Sequence, residues 1–121
     1  VPKLKTTAIY VNGDFAAAHP EAVTDYIKAV LTVHRQIAEN PDLLIAEATK
    51  WLAIPAEKLP KIVEAYLAIN AWDVNGGLDE ESIQYSIDFF TNAGSLDPGL
   101  TVDKVADLSF LNAVLDEIGR K

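Results

Sequence analysis

The sequence predicts a mainly α chain, a single unit of five to six helices preceded by one short N-terminal strand. Three observations carry that expectation. Residues 20–39, PEAVTDYIKAVLTVHRQIAE, keep one unbroken helical period. Capping and turn-forming residues recur after it at helix-length intervals. Residues 5–12 alone have the β-branched and aromatic content of a strand. No internal repeat, low-complexity run or linker divides residues 1–121.

Taken in order, residues 5–12, KTTAIYVN, gather Thr, Ile, Tyr and Val without a helical stripe and end at Asn12-Gly13, which reads as a strand. A lone strand leaves its N–H and C=O groups without ladder partners, and no later stretch offers a second strand. Its partners are therefore expected outside this sequence, in a preceding part of the same protein or in a second copy pairing edge to edge. Asp14 is expected to cap a single turn over residues 15–18. Pro20 starts the long helix, because its fixed φ suits a first turn where an N–H would have no partner. Val23, Tyr26, Ile27, Val30, His34 and Ile37 recur at steps of three and four and form the inner stripe. Glu21, Asp25, Lys28, Thr32, Arg35 and Glu39 fall opposite.

Asn40-Pro41 ends that helix and opens the next, residues 41–52. Asn40 is its N-cap, Asp42 sits in its first turn, and Leu44, Ala48, Trp51 and Leu52 form its inner stripe. Ile54-Pro55 breaks the pattern, Pro60 sets a new start, and Ile62, Val63, Ala65, Tyr66 and Leu67 carry a helix to residue 69. Residues 70–77, NAWDVNGG, are a loop by their Asn, Asp and paired glycines. Asp79 caps a helix running to residue 93, with Glu80 and Glu81 in its first turn and Leu78 and Ile83 at the spacing of a hydrophobic staple. Gly94 stops it, and residues 95–99, SLDPG, turn the chain. Thr101 opens a brief turn over residues 102–105. Asp107 caps the last helix, whose stripe of Leu108, Leu111, Val114, Leu115 and Ile118 ends at Gly119.

Composition narrows the function classes. With 50% hydrophobic residues over 121 positions, the chain has the material of a globular core, burying roughly two thirds of its unfolded surface. Eighteen acidic against ten basic side chains give a formal charge of -8, which repels phosphate backbones and anionic lipid. Nucleic acid and membrane surfaces are therefore poor partners. No stretch approaches the roughly 20 apolar residues needed to cross a bilayer. The absence of cysteine removes disulfides, thiol catalysis and cysteine metal sites. Methionine is absent even at position 1, which implies that the chain was processed, cut or cloned from something longer.

Catalytic chemistry finds little support. His19 and His34 stand fifteen positions apart and neither belongs to a metal-binding pattern. His34 is read as a packed histidine on a helix interface and His19 as a capping or surface residue. Asp79, Glu80 and Glu81 sit where a helix N-terminus favours negative charge and lack the spacing of a calcium loop. The glycines of residues 70–77 lack a phosphate-cradle layout. Trp72, Asp73 and Asn75 combine a flat apolar face, a carboxylate and an amide, the ingredients of a small-ligand wall. The competing reading is a tryptophan that covers the edge of the core. No metal, cofactor or enzymatic activity is expected.

Three stretches then stand in order: DFAAAHPEAVTDYIKAVLTVHRQIAENPD, AIPAEKLPKIVEAYLAINAWDVNGGLDEESIQYSIDFFTNAGSL and VADLSFLNAVLDEIG. Together they resemble the C-terminal part of the substrate-binding proteins of ABC importers, in the nitrate, sulfonate, taurine and pyrimidine-precursor group, over almost the whole chain. The resemblance implies a portion of an α/β two-lobe, periplasmic-binding-protein-like fold. Residues 4–12 would be the strand by which the chain returns into one lobe, and residues 13–121 the helical part that covers that lobe. The other strands, most of the ligand site and any export signal or lipid anchor would precede residue 1.

The function so implied is that of a periplasmic or extracytoplasmic solute-binding component. It would hold a small organic or anionic solute, such as a sulfonate, nitrate, taurine or a pyrimidine, between two lobes and deliver it to ABC permease subunits. The same structural group includes enzymes making the thiamin pyrimidine, but this portion shows no matching reactive constellation. The resemblance places Lys5, Thr6 and Thr7 near the hinge and Trp72, Asp73 and Asn75 in a loop approaching the cleft. The candidate ligand-binding residues are Thr6, Thr7, Tyr10, Trp72, Asp73 and Asn75. Permease recognition is assigned to exposed helix faces such as Lys28 and Arg35. The alternative, from another class, is a small helical interaction module that dimerises through its N-terminal strand.

Overall fold

The computed structural model describes residues 3–5 and 7–121, and among these it is helical. The α-helices are α1 (Gly13–Ala18), α2 (Pro20–Glu39), α3 (Pro41–Trp51), α4 (Leu59–Ala68), α5 (Glu80–Asn92), α6 (Val102–Val105) and α7 (Ser109–Ile118), with one 3-10 turn at Ala56–Lys58. The mainly α expectation holds. Seven α-helices stand against the expected five to six, and the two shortest, α1 and α6, lie at positions the sequence marks as turns.

The expected N-terminal strand is not formed among the described residues. The physical reason is the one that makes it an anomaly in the sequence. Strand propensity expresses how well a side chain fits a pleated, half-buried surface, and a strand exists only as part of a ladder. Among the described residues no neighbouring segment offers that ladder. Ile9 is 68% and Tyr10 94% exposed.

Two N-termini differ from expectation in an instructive way. Asn12, not Asp14, caps α1, its side-chain oxygen accepting from Phe15 N at 3.1 Å. Asn12 has an extended backbone that an N-cap requires, which leaves Asp14 inside the first turn where its charge suits the helix dipole. Asp107 likewise accepts from Ser109 N at 2.9 Å, but α7 begins at Ser109, so Leu108 lies outside its first turn. Asn40 caps α3 as expected, accepting from Asp42 N at 3.3 Å. Asp79 caps α5 through a reciprocal box with Ser82.

α2 is the hub. It packs against α1, α3 and α7, and α3 in turn packs against α4. The best-buried cluster joins Leu31 of α2 to Val114 and Leu115 of α7, flanked by Ile27, Leu111 and Ile118. Leu31 is 1% exposed and lies one turn beyond Ile27, on the line that faces α7. The expected inner stripe omits it and includes Tyr26, which is exposed. Trp51 and Leu52, also expected inside, are exposed. Leu52 has left helical φ/ψ, and Trp51 is the last residue of α3. On α4, Leu59 and Val63 are buried while Ile62 and Tyr66 face outward. Leu59 occupies the first position of α4 and Pro60 the second, one residue earlier than the proline alone implies.

The chain exposes 8551 Å² of surface, whereas a compact monomer of 13.2 kDa exposes about 6400 Å². The excess comes with exposed large apolar side chains in the N-terminal segment, at the end of α3 and along α4. Among the described residues, no helix is long and apolar enough to cross a membrane.

Candidate functional site

The loop between α4 and α5 carries three of the six candidate residues, and its geometry begins at the end of α4. Asn70 adopts a positive φ of 53°. Its N–H donates to Leu67 O at 2.9 Å and that of Ala71 to Tyr66 O at 3.0 Å. This is the Schellman pattern with asparagine in the left-handed position. The reversal lays Trp72 against Tyr66, their ring centroids 5.5 Å apart and nearly parallel.

Asp73 then organises the turn. One carboxylate oxygen accepts from Asn70 Nδ2 at 2.5 Å and the other from Asn75 N at 2.7 Å. Its carbonyl accepts from Gly76 N at 3.1 Å. Gly76 and Gly77 both have positive φ, 91° and 68°. A Cβ on Gly76 would stand 3.0 Å from Leu111 Cδ1, so the chain passes close over the core at that point.

Two adjacent residues of α2 hold this loop from below. His34 donates Nδ1–H to Asp73 O at 2.9 Å, and Arg35 donates Nε–H to Val74 O at 3.0 Å. The Arg35 guanidinium also reaches the C-terminal end of α7, donating to Ile118 O at 3.2 Å and Gly119 O at 2.5 Å. Asn75 continues the seam: its amide donates to Lys121 O at 2.7 Å, and Lys121 N donates to Asn75 Oδ1 at 3.0 Å. Lys121 also pairs with Glu39 at 2.6 Å, which holds the Glu39 carboxyl below its usual range.

The structure thus brings Trp72, Asp73 and Asn75 together, and the polar side chains of Asp73 and Asn75 are engaged within the chain. Thr7 and Tyr10 are exposed. Thr6 lies outside the described residues. The N-terminal segment approaches the loop at Lys5, whose ammonium is 3.9 Å from the position of a Cβ on Gly77 and whose N–H donates to Ser86 Oγ at 2.9 Å. Lys3 pairs with Glu81 on α5, which raises the Lys3 ammonium above its ordinary value.

Arg35, expected on a free helix face, is instead half-buried and spent on three backbone carbonyls. Lys28, expected on the same face, pairs with Glu117 of α7 at 2.7 Å. A signal for Arg35 is present in the sequence. It directly follows a stripe residue, so its stem runs along the packed edge and its fork can reach carbonyls at two element ends.

An open surface depression of about 550 Å³ lies between the start of α5 and α6 and is lined by Glu80, Val102, Asp103, Ala106, Asp107 and Leu108. It carries three carboxylates and no basic group, a lining that repels anions. Among the described residues no cluster of three His, Asp or Glu side chains is placed to hold a metal ion. Comparison with protein families, curated proteins and solved structures finds no match to this chain.

Proposed function

We propose that the chain is the C-terminal, helical part of an extracytoplasmic solute-binding component of an ABC importer. That component binds a small organic or anionic solute, of the sulfonate, nitrate, taurine or pyrimidine kind, between two lobes and presents it to permease subunits. The reading rests on the ordered sequence resemblance, and one structural observation supports it above others. Residues 7–11 carry strand-type side chains into solvent, Tyr10 almost fully, while the chain exposes 8551 Å², well above the about 6400 Å² of a compact body this size. A helical layer that belongs on a larger sheet has both properties. Residues 4–12 then pair into that sheet and the outward apolar residues of the helices gain cover. On this reading the loop at Trp72, Asp73 and Asn75 braces the helical layer, and Thr6, Thr7 and Tyr10 lie closer to the solute.

The test has two arms. The coding region ahead of residue 1 is read first, and the proposal needs room there for the rest of two lobes, on the order of 200 residues. The protein so defined is then heated with taurine, an alkanesulfonate, nitrate or a hydroxymethylpyrimidine. A ligand present at a hundred times its Kd stabilises by about 2.7 kcal/mol, a shift of several degrees. A start codon directly ahead of residue 1 would sink the proposal.

The same exposed segment suits the other reading, a helical module that dimerises by pairing residues 6–11 with a second copy. Two short strands alone make a marginal ribbon in water, so this reading ranks second. Sedimentation of the chain tests it, with a concentration-independent monomer as the refuting result.

A further inference from the structure

We draw no further inference here: the strongest candidate, the outward apolar stripe of Ile62, Tyr66 and Ile69 along α4, continued by the Tyr66–Trp72 stack, carries nothing because nothing in the structure shows what covers it beyond the reading already proposed.

Discussion

The Nδ1–H of His34 lies 2.9 Å from the carbonyl oxygen of Asp73. A carbonyl only accepts, so this contact fixes the ring hydrogen on Nδ1. The next residue, Arg35, takes the next carbonyl, that of Val74. Consecutive side chains of α2 therefore hold consecutive peptide groups of a loop 39 residues further along the chain. The loop's position is set by α2 as much as by its own glycines.

Arg35 ties three carbonyls on two segments, so its removal is expected to loosen the loop and the C-terminal end of α7 together. Bonds to a charged donor contribute about 1.5–3 kcal/mol each when shielded. The site is only half-buried and water replaces part of that, which puts Arg35→Ala at about 1–3 kcal/mol in total. Arg35→Lys recovers little, because a single ammonium cannot span three acceptors. Urea unfolding reads both variants, and an Arg35→Ala midpoint equal to the parent's would show that the clamp contributes nothing.

How far this arrangement is legible in the sequence depends on the kind of signal. Helix ends are readable where a capping side chain acts on its own neighbours, as at Asn40 and Asp79, since that chemistry is local. Residues 20–39 are readable as a helix because a long period leaves little choice. Which side of that helix is deepest is not, because Leu31 and Tyr26 are both apolar and α7 decides between them. Arg35 escapes for the same reason: its acceptors come from segments far away in sequence. The strand at residues 5–12 fails because side-chain preference is legible, whereas the absence of a partner belongs to tertiary structure. Of the candidate site, the loop is legible as a loop. Its anchoring depends on α2 and on Lys121, which no local pattern encodes.

Leu31 and Tyr26 offer a direct comparison on one helix. Leu31 is 1% exposed and touches the centre of the α2–α7 core, whereas Tyr26 is 52% exposed. Leu31→Ala is expected to cost about 2–5 kcal/mol through lost burial and the cavity left behind. Tyr26→Ala is expected to stay below about 1 kcal/mol. Thermal or urea unfolding of the two variants decides it, and a larger cost at Tyr26 would restore the stripe expected from the sequence and overturn the packing described.

Gly76 combines a φ of +91° with a tight approach to the core, since a Cβ added there would stand 3.0 Å from Leu111 Cδ1. Gly76→Ala therefore meets both backbone strain and a core side chain, and is expected to destabilise by more than about 1 kcal/mol. Gly13 opens α1 with nothing within 4 Å of such a Cβ. There the same change reduces only the freedom of the unfolded chain, and Gly13→Ala is expected to be neutral or stabilising by up to about 1 kcal/mol. Equal effects at the two sites would contradict the loop geometry.

Asp79 links α5 to acid sensitivity. Its carboxyl is held below the usual range, chiefly by the backbone N–H of Ser82, which outweighs the opposing effect of desolvation, with lesser help from the Ser82 side chain and the charges of Lys5 and Lys3. A folded-state pKa below the unfolded value means that the ionised cap contributes fully above the ordinary aspartate value of about 3.9. That contribution is lost as pH falls through the lower folded value, because protonation then weakens the acceptor for Ser82 N–H. Asp79→Ala is expected to cost about 0.5–2 kcal/mol near neutral pH, the range for removing an N-cap. The gap between parent and variant should narrow only below about pH 4, as the cap itself protonates. Other lowered carboxyls, Glu39, Glu47 and Asp107, titrate in both proteins, so the difference between them isolates position 79. Urea unfolding of parent and Asp79→Ala from neutral to acid pH makes the measurement, and a gap that stays constant down to about pH 2.5 would exclude a depressed Asp79.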